Sequence, residues 1–312
     1  MSGALKRMTT KHEFTRRAFN GALLGLSTGA GLGACSMPSA NRSSVAIDCH
    51  AHVFHRDLSM PDRRRAPSAY DATPEDYLRK LDENRMTHGV LIQPSFLGTD
   101  NSYLMSALRK HPQRLRGVAV VDPHVSAADL DQMQQAGVVG IRLNLIGLPT
   151  PEFSSVAWKN LLSEIKARRW QVEVHRSARE LPAVLDPLIL AGVNVVVDHF
   201  GRPDEKSGVN DPGFRYLTGL GSSRQVWVKV SAAYRNGANG VGEATALQAL
   251  PLLKSHFGLD RLVWGSDWPH TLFENKADYT GQRRLLDAWL PDAAERVQVL
   301  HQTPAKLFGF EV

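Results

Sequence analysis

Val45-Ala46-Ile47-Asp48-Cys49-His50-Ala51-His52 passes from a short apolar run straight into side chains that carry charge, sulfur and imidazole. A run such as Val45 to Asp48 suits a strand buried in a parallel sheet, with functional groups gathered at the strand's end. Seven further runs rich in Val and Ile repeat the pattern. They are Gly89 to Gln93, Arg116 to Val121, Val139 to Leu143, Gln171 to Val174, Val193 to Val197, Val226 to Val230, and Arg261 to Trp264. Amphipathic stretches separate them: Pro74 to Met86, Tyr103 to Lys110, Ala127 to Gln135, Ser155 to Ala167, Ala178 to Leu190 and Gly242 to His256, with Gln282 to Leu300 after the last strand. This alternation predicts βα units on a parallel sheet. Eight units favour a closed (β/α)8 TIM barrel of the α/β class over an open doubly wound sheet. No Gly-rich phosphate turn follows the first strand, which removes the main support for a dinucleotide fold.

The segment ahead of this run has a different character. Met1 to Ala34 moves from a basic stretch (Lys6, Arg7, Lys11) through Thr15-Arg16-Arg17-Ala18-Phe19 into an uncharged Gly/Ala/Leu run ending at Leu32-Gly33-Ala34-Cys35. The Arg16-Arg17 pair resembles a twin-arginine export signal. The small residues before Cys35 resemble a lipobox, in which the cysteine becomes the lipidated first residue. Residues 1–34 are therefore expected to be a removable leader, 35–44 a flexible polar tether, and 45–312 one barrel domain. The expected location is outside the cytoplasm, either periplasmic or held to a membrane through lipid on Cys35.

Five Lys/Arg and one Glu lie in the leader, so it carries four of the chain's six net positive charges. The remainder, near +2, gives no basic face of the kind that nucleic-acid binding requires; a small-molecule substrate is the expected partner. Two cysteines make no disulfide framework. Cys49 is expected to be a small buried strand residue, because neighbours on a strand diverge and His50 would not serve it as a base.

In a barrel of this type the active site is assembled from residues just beyond each strand. Those positions hold His50 and His52, Gln93 and Ser95, Asp122 and His124, Arg142 and Asn144, His175, Asp198 and His199, Lys229 and Ser231, and Asp267 and His270. Six of the chain's 12 histidines fall there. A His-x-His pair alone is a weak signal. Its two-residue spacing does turn both imidazoles to one side of a strand, and His175, His199 and Asp267 at other strand ends reinforce it. Nitrogen and carboxylate donors of this kind suit one divalent ion, zinc foremost.

Asp48-Cys49-His50-Ala51-His52, Val197-Asp198-His199-Phe200-Gly201-Arg202-Pro203, Trp264-Gly265-Ser266-Asp267-Trp268-Pro269-His270 and Thr303-Pro304-Ala305-Lys306-Leu307-Phe308-Gly309-Phe310 together resemble the amidohydrolase-related family of the amidohydrolase superfamily. Within it they are most similar to the 2-pyrone-4,6-dicarboxylate lactonases and the sugar lactonases. The similarity spans roughly Ile47 to Phe310 and implies a distorted (β/α)8 barrel that performs hydrolysis, with decarboxylases in a sister branch.

The resemblance implies that Asp267 is the general base for an attacking water and that His199 helps polarise the substrate carbonyl. His50, His52, His175 and Asp267 would hold a metal, or the two first-strand histidines would line a metal-free pocket as in the pyrone lactonases. With no lysine at the end of the fourth strand for a carbamate bridge, the site holds one ion at most. Arg142 and Arg235 match positions that bind substrate carboxylates, which suits the forked guanidinium. Ser95 and Tyr70 are further carry-overs. Asn144-Leu145-Ile146-Gly147-Leu148-Pro149 lacks the second arginine expected of a pyrone dicarboxylate lactonase. Arg63-Arg64-Arg65 in the loop after the first strand can attract an anion, although most such runs are solvated. The leading expectation is hydrolysis of a lactone or related cyclic ester, anionic in character. A metal-dependent decarboxylase of an aromatic or muconate-like acid is the alternative enzyme, and a lipid-anchored binding protein without catalysis is the reading from another class.

Overall fold

The computed structural model describes residues 45–62, 67 and 70–312. The leader, Cys35, the tether and the Arg63-Arg64-Arg65 run lie outside the described residues. Within residues 45–312 eight parallel strands form one sheet in chain order: β1 (Ile47–Ala51), β2 (His88–Ile92), β3 (Leu115–Ala119), β4 (Val138–Asn144), β5 (Gln171–His175), β6 (Asn194–Val197), β7 (Val226–Lys229) and β8 (Leu262–Val263). The two edges then meet. Cys49 N–H donates to the Trp264 carbonyl (2.9 Å), Asp267 N–H to the His50 carbonyl (2.8 Å) and His52 N–H to the Trp268 carbonyl (2.7 Å). The result is the expected TIM-like barrel.

The outer layer consists of α1 (Pro74–Glu83), α2 (Ser102–Lys110), α3 (Ala127–Ala136), α4 (Val156–Ala167), α5 (Leu181–Ala191), α6 (Pro212–Gly219), α7 (Val241–Phe257), α8 (Tyr279–Trp289), α9 (Ala293–Val297) and α10 (Thr303–Phe308). Local chemistry fixes several starts. The hydroxyls of Thr73, Ser126 and Ser155 accept the N–H of Asp76, Asp129 and Trp158 at the N-termini of α1, α3 and α4, each worth about 1 kcal/mol. Gly137 and Gly192 end α3 and α5 in the left-handed region. The structure departs from the sequence reading at α6 and α10, neither of which was expected, and at the single helix expected over Gln282 to Leu300, which is divided. Pro291 has no N–H to continue the helix, so α8 stops at Trp289 and α9 begins anew after the Asp292 cap.

Two apolar layers hold the barrel. Helices pack on its outside through residues such as Leu81, Leu108, Ile165, Leu188 and Leu253, while Ile47, Cys49, Val90, Ile92 and Val263 meet Phe308 and Phe310 in a second cluster. Cys49 is thus the buried strand residue expected, and burial pushes its thiol well above the ordinary range, which keeps it unreactive. The β1–β2 pairing register shifts between Asp48 and Ala51.

The seam between β1 and the β8 tip is closely fitted. A Cβ on Gly265 would lie 2.5 Å from His50 Cβ and 2.7 Å from His50 N. Gly265→Ala is therefore expected to cost about 1–3 kcal/mol through overpacking and to shift His50. A thermal melt and a turnover assay check this; a variant unchanged in both would contradict the fit.

Candidate active site

The strand ends bring the candidate residues to one mouth. His50 Nε2 and His52 Nε2 are 3.2 Å apart, as the two-residue spacing promised. Asp267 Oδ1 lies 3.6 Å from His50 Nε2, 3.7 Å from His52 Nε2 and 3.8 Å from His199 Nε2. Its other oxygen is occupied: Oδ2 accepts from Arg235 Nε at 2.6 Å and from the Tyr234 hydroxyl. One carboxylate oxygen is thus clamped, and the other faces three imidazoles.

Each imidazole has a partner that orients it. His52 Nδ1 donates to the Ile92 carbonyl at 2.8 Å, which leaves its Nε2 as the lone-pair nitrogen. His199 Nδ1 is 2.9 Å from Ser231 Oγ, and the Asn236 amide donates to the His199 carbonyl. His199 and Asp267 both sit at positive φ, 51° and 61°. Left-handed backbone in such residues costs of order 1–3 kcal/mol each and concentrates at functional sites.

Beneath this layer lies a buried ionic cluster. Lys229 bonds Glu173 Oε2 and approaches Asp198 Oδ1 (3.5 Å) and His50 Nδ1 (3.0 Å). Arg142 reaches Asp198 Oδ2 at 3.2 Å and Glu173 Oε1 at 3.5 Å. Burial and the Asp198 charge push the Glu173 carboxyl up to about 8. Burial opposes ionisation of Asp267, yet Arg235 and His199 outweigh it and hold the carboxyl well below its usual range. Burial lowers His50, His52 and His175 as well, takes His199 down to about 3, and leaves the rings neutral near pH 7.

Among the described residues, two sets of side chains have donor atoms close enough to hold a metal ion: His50, His52 and Asp267, and His50, Asp198 and His199. His175 belongs to neither. Its ring centroid is 5.0 Å from that of His199, and both of its nitrogens lack a hydrogen-bond partner. The pocket above is lined by His52, Ser95, Arg142, His175, Arg235 and Asp267, among others. Arg142 and Arg235 thus reach the pocket while already engaged by carboxylates. Tyr70 stands further out, donating to Glu274 at 2.9 Å, and does not line that pocket. Asp122 and His124 border a separate surface hollow.

Sequence reasoning missed Glu173 and Tyr234. Glu173 precedes His175 by two residues on β5 and so shares its face, a signal the sequence did contain. Tyr234 lies beside Arg235 in a loop with no periodicity to reveal its direction. Asp48 was quoted in the opening motif without a role. It accepts from His50 N, Ser266 N, Ser266 Oγ and Tyr279 OH.

Comparisons with known proteins agree with this geometry. The model of the Amidohydrolase family matches residues 47–310. The chain is 30% identical over 298 residues to a 4-sulfomuconolactone hydrolase from Rhizobium radiobacter, covering 90% of this chain and 97% of the relative. It is also 30% identical to a 2-pyrone-4,6-dicarboxylate hydrolase from Comamonas testosteroni, over 88% and 93% of the two chains. A crystal structure from Acinetobacter baumannii, described as a probable 2-pyrone-4,6-dicarboxylic acid hydrolase with citric acid bound, superposes with a TM-score of 0.81 at 38% identity, covering 85% of this chain and 99% of that one.

Proposed function

Because the chain belongs to the amidohydrolase family, we propose that it opens a lactone or related cyclic ester with water activated at Asp267. The observation that carries this reading is the division of labour within that carboxylate. Arg235 and Tyr234 hold Oδ2, and Oδ1 faces the imidazoles of His50, His52 and His199. Water attacks the carbonyl carbon as Oδ1 takes its proton. The tetrahedral intermediate then collapses with cleavage of the ring C–O bond, and Asp267 returns the proton to the departing oxygen. His199 supports the charge on the carbonyl oxygen. Donors placed for that oxyanion contribute roughly 3 kcal/mol each.

A carboxyl held so far below its usual range is a weak base, so the carbonyl must itself be activated. A divalent ion is one source. His50 Nε2, His52 Nε2 and Asp267 Oδ1 are separated by 3.2, 3.6 and 3.7 Å, near the ~3.3 Å edge of a tetrahedron built on zinc–nitrogen bonds of about 2.0 Å. These three residues would hold the ion, with zinc the best match to the donor set. When bound it supplies Lewis acidity toward the carbonyl. Arg142, Arg235 and Ser95 at the pocket wall would bind an anionic group of the substrate.

The relatives named above act on anionic lactones, and this supports the same substrate class here. A panel of lactones with and without chelator, followed by metal analysis, tests both parts. Ring-opened acid is the expected product, whereas carbon dioxide release without it would replace the hydrolase by a decarboxylase. Activity indifferent to chelator, with no stoichiometric ion, would remove the metal.

The leader pattern supports export with lipid attached at Cys35. Loss of the chain from the membrane fraction on Cys35→Ala is the expected result, and an unchanged distribution would contradict it.

A further inference from the structure

Lys229 is fully buried at the end of β7, in a barrel core where an apolar residue would be cheaper to fold. It touches three groups: Glu173 Oε2, Asp198 Oδ1 at 3.5 Å and His50 Nδ1 at 3.0 Å. The Ile92 carbonyl can only accept, so His52 Nδ1, 2.8 Å from it, carries the His52 proton and His52 Nε2 accepts. His50 Nε2 lies 3.2 Å from that nitrogen and donates to it, which leaves His50 Nδ1 to accept from Lys229. The four groups form a chain of hydrogen bonds with a single direction, from Lys229 through His50 and His52 to Ile92.

We infer that Lys229 is a positioning residue that sets the polarity of the His50–His52 pair, making His50 a donor on the pocket side in the metal-free protein, so that an ion held there must first displace the Nε2 proton. A competing arrangement is built into the same place. Glu173 Oε1 and Asp198 Oδ1 each lie 3.4 Å from His50 Nδ1. Asp198 Oδ1 accepts an Nδ1 proton once the Lys229 amine is gone, and the His50 lone pair then turns to Nε2, where a metal would use it. Lys229 thereby governs how readily this site takes a metal.

The inference builds on the placement of His50 beside the reacting carbonyl, but its primary test is independent of turnover. Imidazole nitrogen chemical shifts in the as-purified full chain report which ring nitrogen carries the proton. The Nε2–H form of His50 is expected in the wild type and the Nδ1–H form in Lys229→Met. Zinc affinity, measured by competition with a chromogenic chelator, is expected to tighten at least tenfold in the variant. Where Lys229→Met alone does not fold, Lys229→Met/Glu173→Gln removes the ion pair as a unit and leaves Asp198 as acceptor. An Nδ1–H form of His50 in the wild type, or the same form in wild type and variant, would overturn the assignment, as would a zinc affinity that moves less than twofold. If the shifts come out as expected but no lactone is opened, the hydrolase reading fails and the role of Lys229 stands.

Discussion

Asp267→Asn is expected to lower kcat by about 10^2 to 10^4-fold, the range a positioned proton acceptor contributes, while substrate still binds. Asparagine keeps an oxygen to accept from Arg235 and Tyr234, so the clamp on that side chain survives. What disappears is the oxygen facing His50, His52 and His199. Steady-state kinetics give kcat, and equilibrium binding to the inactive variant gives the affinity. Unchanged turnover would refute the assigned role. Binding retained without turnover in the variant, against turnover in the wild type, also disposes of a purely binding protein. Loss of binding together with turnover would instead show that Asp267 serves mainly to hold Arg235.

The second large effect is on stability. Asp48 is fully buried and accepts four hydrogen bonds, from His50 N (3.1 Å), Ser266 N (2.8 Å), Ser266 Oγ (2.6 Å) and Tyr279 OH (2.9 Å). These join the first strand to the tip of the last and to α8. Burial alone drives its carboxyl upward, and the donors from Ser266, His50 and Tyr279 pull against that shift. Asp48→Ala strands those donors in the interior at roughly 1–3 kcal/mol apiece, partly relieved by relaxation. The expected loss is about 3–5 kcal/mol of unfolding free energy in a denaturant titration, with activity falling because His50 and Asp267 lose their common anchor. A loss below 1 kcal/mol would show that the seam is held elsewhere.

The barrel was legible because its strands are buried on both faces, and continuous Val and Ile runs separated by helical periods leave few alternatives. Val193 to Val197 and Val226 to Val230 nearly coincide with β6 and β7. The last unit was less legible. β8 is only Leu262–Val263, and hydrogen bonding to β1 substitutes for strand length there. At the site, residues displayed at strand tips could be read directly: His50, His52, His199 and Asp267 converge as expected. The strand-end position of Lys229 and the shared face of Glu173 and His175 were readable, but their pairing across the barrel between β5 and β7 is a contact that no local spacing encodes. His175 belongs to neither ligand set and packs edge-on against the His199 ring instead, a side-chain placement that the sequence pattern does not record.

All eight strands run from one end of the barrel to the other, and Val45 joins β1 at the end away from the histidines. A group attached at Val45 itself therefore stands at the blunt end. Immobilisation of the enzyme on beads, or fusion to a carrier, through that side leaves the catalytic entrance unobstructed, whereas coupling through the loops after β1, β7 or β8 would cover it.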